Sequence, residues 1–152
     1  MVVNLKSIYI AGPSVFREDA IEYGNKLKEL CLKYGFIGLY PLDNEFTNST
    51  EIALGNYRLI DKCDIVIADC TPFRSNSEMD SGTACEIGYA YAKGKKIIVF
   101  SENNKTMLEK VGCKKDENGL NVEDFDEVTN IMISTVSDYV NGNFEDALIS
   151  LL

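Results

Sequence analysis

The residues best suited to chemistry lie between Asp80 and Ala90. Two carboxylic acids, Asp80 and Glu86, occur where the chain enters a predicted helix. Retaining glycoside cleavage uses such a pair, because one carboxylate attacks the anomeric carbon while the other acid donates a proton. We expect Glu86 in or near the first helical turn, where the helix dipole favours an ionised and nucleophilic carboxylate. Asp80 precedes the helix and could turn back toward the same cavity.

The same segment also has a purely structural interpretation. Thr83 and Glu86 fit the S/T-x-x-E capping box, in which the glutamate only bonds the backbone at the start of the helix. Asp80 could likewise be a turn residue. From local sequence alone the capping box is the simpler interpretation, so this motif by itself does not settle function.

The composition narrows the chemistry further. The chain has 152 residues and no histidine, which argues against histidine acid–base catalysis and the usual zinc sites. We therefore predict no metal and no cofactor. The formal net charge is −9 and basic residues form no cluster, so we predict no nucleic-acid partner. A small-molecule substrate remains compatible with this charge.

The location is predicted from cysteine usage and hydropathy. The five cysteines are odd in number and none has C-x-x-C spacing, which favours reduced thiols. All but Cys113 are expected to be buried. No signal-peptide pattern or membrane-length apolar run occurs, so we predict no membrane association and a cytoplasmic protein.

Five short apolar runs alternate with stretches long enough for helices. The predicted helices begin at Ala20, Ser49, Gly82 and Asn143 and end at Tyr34, Lys62, Lys93 and Leu152. Alternating strands and helices predict right-handed crossovers and a parallel sheet. We predict one doubly wound α/β domain over residues 1–152 with a flavodoxin- or Rossmann-like, five-stranded parallel sheet. The polar segment 101–127 is the expected mobile insertion. The predicted strands are Ser7–Ala11, Phe36–Tyr40, Asp64–Ala68, Lys96–Phe100 and Ile131–Val136.

The loops after the first three strands are rich in polar residues and hold all three prolines. Ligands of open α/β sheets bind outside the carboxyl ends of the strands. Turn chemistry alone explains any one loop, but three such loops on one edge favour a pocket. These loops begin at Gly12, Pro41 and Asp69.

Several ordered segments together resemble the nucleoside 2-deoxyribosyltransferase family. The similarity runs from residue 8 to about 136, and the ordered set is more specific than any single piece. It is closest to the branch with Ala-Gly-Pro and Pro-Phe-Arg signatures. The matching segments are Ile8–Pro13 with Phe16, Pro41–Asn44, Cys63–Asp69 with Pro72–Arg74, Asp80–Gly88 and Asn130–Met132.

The resemblance implies a mechanism and a set of site residues. It implies that Glu86 attacks C1′ to form a deoxyribosyl ester, that Tyr9 orients this glutamate, and that Asp80 contacts the base and is a candidate for protonating it. A second base would then attack the ester, which completes the transfer of 2-deoxyribose between purine or pyrimidine bases, with hydrolysis as a side reaction. The substrates would be deoxynucleosides and free nucleobases. Asn130 would reach a neighbouring subunit's site, so a homo-oligomer is expected. The further residues predicted to bind substrate are Gly12, Pro13, Phe16, Asp43, Glu45, Asn56, Asp69, Arg74, Gly82 and Asn130.

Two departures from the family pattern affect these expectations. Asn56 aligns where some members have aspartate, and it is either a polar residue at the core edge or a group that alters base preference. The chain ends in a predicted helix, where some members have a short aromatic tail that enters a neighbour's site. Glu45 aligns near a base-contacting position, but it could equally be a solvated loop acid.

Two other functions remain open from the sequence. A 2′-deoxynucleoside 5′-monophosphate N-hydrolase would share the nucleophile but needs a phosphate site, for which Ser14 and Arg17 are available. A non-catalytic nucleotide-binding domain on the same fold is the more distant alternative, since fold does not fix function. The carboxylate pair and Tyr9 have no evident use in such a domain.

Overall fold

The computed structural model describes residues 4–152, which form one α/β domain. Within these residues five parallel strands occur in the order β2-β1-β3-β4-β5. The strands are β1 (Ser7–Ala11), β2 (Ile37–Leu39), β3 (Ile65–Asp69), β4 (Lys96–Ser101) and β5 (Asp138–Asn141). This order is that of flavodoxin-like sheets, whose topological switch point lies between β1 and β3. The predicted fold class is confirmed.

The helices cover both faces of the sheet. They are α1 (Ala20–Lys33), α2 (Ser49–Lys62), α3 (Ser81–Ala92), α4 (Met107–Val111), α5 (Ile131–Ser134) and α6 (Phe144–Ile149). Short 3-10 turns follow β1 at Pro13–Phe16 and β2 at Pro41–Asp43. Asn48 caps α2 by accepting from the Glu51 amide at 2.9 Å. Gly35 and Gly94 have positive φ just beyond α1 and α3, as helix-ending glycines commonly do.

Alternate residues of the central strands enter two cores. Ile8 and Ile10 of β1 pack with α1 and α6, whereas Tyr9 and Ala11 pack with α2 and α3. Because both faces are covered, a central strand needs apolar residues at every position. Tyr9 is therefore a polar exception, placed on the α2–α3 side and fully buried.

The predicted strand over Ile131–Val136 is wrong. The Asn130 side chain accepts from the Met132 amide at 2.9 Å and starts α5, which runs to Ser134. A short apolar run does not distinguish a strand from a helical turn. Here the Asn130 cap favours the helical turn. The fifth strand is Asp138–Asn141, further along the chain. It lies at the edge of the sheet, and both of its end residues are polar.

The polar segment 101–127 contains ordered structure. Thr106 and Glu109 form a reciprocal capping box at the start of α4, and Met107 of this helix is buried. The Met107 amide also donates to the Glu127 carbonyl at 2.9 Å, which ties the two ends of the segment together.

All five cysteines are free thiols, but Cys85 is exposed, contrary to the expectation that Cys113 alone would be. In the part of the chain from residue 4 onward, no helix is both long and apolar enough to cross a bilayer.

Candidate active site

Tyr9 and Glu86 form a buried polar pair at the switch point. Tyr9 lies on β1 and Glu86 in the second turn of α3, which packs over β3 and β4. The Tyr9 hydroxyl and Glu86 Oε2 are both buried and lack a hydrogen-bond partner of regular geometry among the described residues. The hydroxyl is nevertheless close enough to lower the pKa of Glu86. Burial without partners costs free energy, so this arrangement is unfavourable for stability alone.

Burial dominates the ionisation of this pair. The pKa of Glu86 is raised from 4.5 to about 7, chiefly by burial; the Tyr9 hydroxyl lowers this pKa and the nearby Asp80 charge raises it. Burial, and then the charge of Glu86, also raise the pKa of Tyr9 far above its ordinary value, so this hydroxyl stays protonated. The expected effect of the helix dipole is not the controlling one, because Glu86 lies beyond the first turn. Near neutral pH Glu86 exists in both protonation states.

Asp80, not Thr83, is the N-cap of α3. Asp80 Oδ2 accepts from the Thr83 amide at 2.8 Å and from the Thr83 hydroxyl at 2.7 Å. The Thr83–Glu86 capping box is therefore absent, which removes the structural interpretation of Glu86. Asp80 Oδ1 makes no hydrogen bond within residues 4–152. Asp80 thus combines a structural role with one free carboxylate oxygen near Glu86.

Two asparagines carry further unsatisfied groups on the α2 side. Asn56 Oδ1 and Asn44 Nδ2 are buried without a hydrogen-bond partner in the described chain. A side-chain carbon added at Gly55 would lie 3.0 Å from Asn44 Nδ2, so this amide packs directly on α2. Asn56 is half-buried, as a site residue or a core-edge residue would be. Asn44 was not singled out from the sequence, although it belongs to the Pro41–Asn44 segment.

The loops after β1 and β3 meet at the switch point. A side-chain carbon at Gly12 would lie 2.9 Å from Asp69 Cβ, so only glycine allows this approach. Asp69 Oδ1 accepts from the Thr71 amide at 2.9 Å. These loops border a cavity of about 300 Å³, which neither Tyr9 nor Glu86 lines. The residues that line it are Pro13, Ser14, Phe16, Arg17, Tyr23, Asp69 and Phe73.

An aromatic–cation cluster bridges the same two loops. The Phe16 and Phe73 rings stack with centroids 5.3 Å apart, and Phe16 is 58% exposed. The Arg74 guanidinium lies 5.0 Å from the Phe16 ring and 4.6 Å from the Phe73 ring. Arg74 has φ of 54°, an uncommon conformation for a residue other than glycine. The structure thus brings Phe16 and Arg74 together beside the cavity.

Asp43 ends the 3-10 turn after β2, and Glu45 follows two residues later. Asp43 Oδ2 accepts from the Tyr40 amide at 2.8 Å, and Oδ1 pairs with Lys28 Nζ at 2.5 Å. Both oxygens are therefore used in holding the turn after β2 against α1. Glu45 is exposed and makes no side-chain hydrogen bond or ion pair within residues 4–152.

Gly82 and Asn130 have local roles visible in the structure. A side-chain carbon at Gly82 would lie 3.2 Å from Asp80 Oδ2, so glycine leaves room for the cap of α3. Asn130 caps α5 and donates to Glu123 Oε1 at 3.0 Å. It is exposed at the surface beside Ile131 and Met132, which are 41% and 75% exposed. Asn130 is not brought to Glu86 of its own chain by these contacts.

Comparison with known proteins identifies the class. The sequence profile described as Nucleoside 2-deoxyribosyltransferase matches residues 8–132, and the chain belongs to this family. A solved structure described as a 2-desoxiribosyltransferase from Leishmania mexicana is 40% identical, covers 96% of both chains and superposes with a TM-score of 0.88.

Two solved structures of lower sequence identity share the fold. A 2-deoxyribosyltransferase from Bacillus psychrosaccharolyticus is 20% identical, with coverage of 93% and 90% and a TM-score of 0.63. A CMP N-glycosidase from Clostridium botulinum is 22% identical, with coverage of 96% and 97% and a TM-score of 0.54. An uncharacterized protein of Schizosaccharomyces pombe is 38% identical over 68% of this chain, which spans 54% of that curated relative.

Proposed function

We propose that this protein transfers 2-deoxyribose between nucleobases through a covalent intermediate on Glu86. The observation that carries the proposal is the buried Glu86 Oε2, which has no hydrogen-bond partner of regular geometry among the described residues and lies close to the Tyr9 hydroxyl. Family membership supports the substrate class. A desolvated carboxylate is a stronger nucleophile than a hydrated one, and here no structural bond competes for Oε2.

The reaction proceeds in two displacements. An ionised Glu86 oxygen attacks C1′ while the C1′–N bond breaks, and its electron pair leaves with the base. The departing base nitrogen takes a proton, for which Asp80 is the proposed donor. A second base then attacks C1′, the Glu86–C1′ ester bond breaks, and the new base returns a proton to Asp80. Two inversions restore the original β configuration.

Tyr9 and the loops after β1 and β3 have supporting roles in this proposal. The Tyr9 hydroxyl remains protonated and orients the Glu86 carboxyl without taking its proton. The exposed Phe16 ring, stacked on Phe73, provides an apolar wall that would disfavour a ribose 2′-hydroxyl. The remaining predicted contacts assigned to this site are Gly12, Pro13, Asn56, Asp69 and Arg74.

The phosphate-dependent hydrolase is the weaker alternative. Arg17 is held by Asp19 through two hydrogen bonds of 2.7 and 3.0 Å, so its guanidinium is already paired with a carboxylate. The Ser14 hydroxyl lies 3.0 Å from that of Tyr40. The two side chains that could bind a 5′-phosphate are therefore engaged with other partners, and we expect free nucleosides to be preferred.

Product analysis by HPLC tests the reaction type. The purified protein is incubated with deoxyadenosine or thymidine, with and without a second free base. We expect a new deoxynucleoside only when the acceptor is present, and a mass increase of one deoxyribosyl group on the Glu86 peptide after a quench without acceptor. Free base and deoxyribose without exchange would support hydrolysis, and nucleoside monophosphates would then be assayed. No reaction with any of them would favour a binding domain.

We further propose that Asn130 serves the site of a second subunit. Its exposure beside Ile131 and Met132 supports an intermolecular contact. Subunit mixing tests this directly: Glu86→Ala and Asn130→Ala proteins are each assayed alone and after co-refolding. Hybrid oligomers contain one site with both residues intact, so activity should reappear in the mixture. Persistent inactivity in a mixture shown to contain hybrids would contradict the proposal.

A further inference from the structure

The side-chain amide of Asn130 is held by two hydrogen bonds within its own chain. Its Oδ1 atom accepts from the Met132 amide at 2.9 Å, and its Nδ2 atom donates to Glu123 Oε1 at 3.0 Å. The backbone amide requires an acceptor and the ionised carboxylate requires a donor, so only one orientation of the Asn130 amide satisfies both partners. Glu123 thereby fixes which end of the amide faces outward.

One N–H group of the Asn130 amide makes no hydrogen bond within residues 4–152. The amide nitrogen carries two N–H groups, and Glu123 accepts from one of them. Asn130 is exposed, and Met132 beside it is 75% exposed, so the second N–H is accessible to another molecule. In the site of a neighbouring subunit this group would meet an acceptor, such as a hydroxyl or carbonyl oxygen of the substrate.

A hairpin in the polar segment 101–127 carries Glu123 to the start of α5. The Val122 amide, directly before Glu123, donates to the Lys114 carbonyl at 3.0 Å. An antiparallel bridge between Lys115 and Asn121 lies beside this bond. The backbone is therefore anchored one residue before the carboxylate, which limits how far Glu123 can move from the amide that it accepts from.

Helix α4 of the same segment anchors the chain directly before Asn130. Lys110 Nζ donates to the Val128 carbonyl at 2.5 Å, and Met107 of this helix is buried. Thr129, the residue between Val128 and Asn130, is also buried. These contacts set the backbone position of Asn130, and the orientation of its side-chain amide is then left to Glu123 and the cap.

We propose that Glu123 is a positioning residue, whose carboxylate orients the Asn130 amide so that its free N–H meets the substrate in a neighbouring subunit's site. The segment 101–127 then has a function, because its hairpin and α4 hold this pair in place. The inference rests on the proposed role of Asn130 and adds a residue that acts through it. Glu123 itself would touch no substrate, and no bond is formed or broken at it.

Two variants of Glu123 test the hydrogen bond. Glu123→Ala removes the acceptor and should lower kcat/KM for exchange by roughly tenfold. Glu123→Gln keeps a carbonyl oxygen that can accept from Asn130, so its rate should stay within about threefold of the wild type. Asp124→Ala is the control, because Asp124 is exposed and makes no side-chain hydrogen bond in the part of the chain from residue 4 onward. Its rate should match that of the wild type.

A double-mutant cycle separates an effect through Asn130 from general damage. In the Asn130→Ala background no amide remains to be oriented. Adding Glu123→Ala there should therefore change kcat/KM by less than about twofold, although it costs roughly tenfold in the wild type. A purely structural role would give similar losses in both backgrounds.

Subunit mixing shows on which side of the interface Glu123 acts. Hybrids of Glu123→Ala with Glu86→Ala should exceed the activity of either variant alone, because one site then has Glu86 and receives both Asn130 and Glu123 from its neighbour. Hybrids of Glu123→Ala with Asn130→Ala should stay at or below the activity of Glu123→Ala, because no site receives both residues from one subunit. Recovery in the first mixture also shows that the Glu123→Ala chain folds.

Three results would overturn the inference. The first is a wild-type rate in Glu123→Ala, and the second is an equal loss with and without the Asn130 side chain. The third is a lack of recovery in hybrids of Glu123→Ala with Glu86→Ala when hybrids of Asn130→Ala with Glu86→Ala do recover. An absence of exchange in the wild type would instead refute the proposed function itself.

Discussion

Two acids predicted for the site, Glu86 beside Tyr9 and Asp43 in the turn after β2, differ in whether their carboxylate oxygens have hydrogen-bond partners. At the turn, both Asp43 oxygens are satisfied, by the Tyr40 amide and by Lys28. At the pair, the Tyr9 hydroxyl and Glu86 Oε2 are buried without regular partners. Buried polar groups are normally satisfied, so an unsatisfied carboxyl beside an unsatisfied hydroxyl supports a chemical role for this pair. Asp80 combines both conditions, with one oxygen bonded and the other free.

The largest expected effect is the loss of the nucleophile. Glu86→Ala should lower the exchange rate by at least roughly a thousandfold, because no other carboxylate replaces the attacking oxygen. The fold should persist, since Glu86 makes no regular side-chain hydrogen bond through Oε2. The measurement is initial exchange rate by HPLC, with circular dichroism as the control. A rate near that of the wild type would remove Glu86 from the chemistry.

The next largest effect on the rate is expected for Asp80, which caps α3 and is the proposed proton donor. Asp80→Asn should reduce kcat by roughly 10²-fold by removing the proton donor, with a smaller change in KM. Asparagine is also a good N-cap, so the thermal midpoint should change little. Asp80→Ala, which removes the cap as well, should in addition lose about 1 kcal/mol of stability. An unchanged kcat in Asp80→Asn would leave only the structural role.

The pH dependence tests the burial of Glu86 during catalysis. Its pKa is raised to about 7, so the ionised nucleophile is depleted as the pH falls. We expect kcat/KM to decline about tenfold per pH unit well below that value. Initial rates from pH 5 to pH 8 measure this, with reversibility of the low-pH loss as the control. A flat profile across this range would contradict control by the Glu86 carboxyl.

Stability should move in the opposite direction to activity. The unfolded carboxyl ionises near 4.5 and the folded one near 7, so wild-type stability falls as pH rises between these values and the full cost is present above 7. Glu86→Gln should therefore be more stable than the wild type by roughly 1–3 kcal/mol at pH 8 and equally stable near pH 4. Urea unfolding at both pH values measures the difference, and equal stability at pH 8 would contradict the buried charge.

The smallest effect on catalysis is expected at the turn. Asp43→Asn weakens a half-exposed ion pair and should cost about 0.5–1 kcal/mol of stability while leaving kcat within about twofold. Lys28→Met is the matched control, because it removes the other partner of the same pair. A large loss of activity in Asp43→Asn, but not in Lys28→Met, would indicate that Asp43 contacts the substrate. It would contradict the purely structural role assigned here to Asp43.

Much of the fold could be predicted from apolar periodicity. The strand Ser7–Ala11 and the helix Ser49–Lys62 were located correctly, because each pattern is set by which local residues face the core. The predicted fifth strand over Ile131–Val136 is wrong, since a short apolar run does not distinguish helix from strand and the observed strand lies at a polar edge. The capping box suggested by Thr83 and Glu86 does not form, because Asp80 is the N-cap residue of α3. Local spacing alone does not show which of several polar residues caps a helix.

The sequence by itself determined the α/β class, the carboxyl-edge loops and, through its resemblance, the family. Only the tertiary structure distinguished the unsatisfied Glu86 from the satisfied Asp43, and only it revealed the buried amide of Asn44. The physical reason is that periodicity reflects local geometry, whereas burial and pairing depend on residues that are distant in sequence. Lys28 lies on α1 and Tyr9 on β1, and their proximity to these acids arises only when the sheet is assembled.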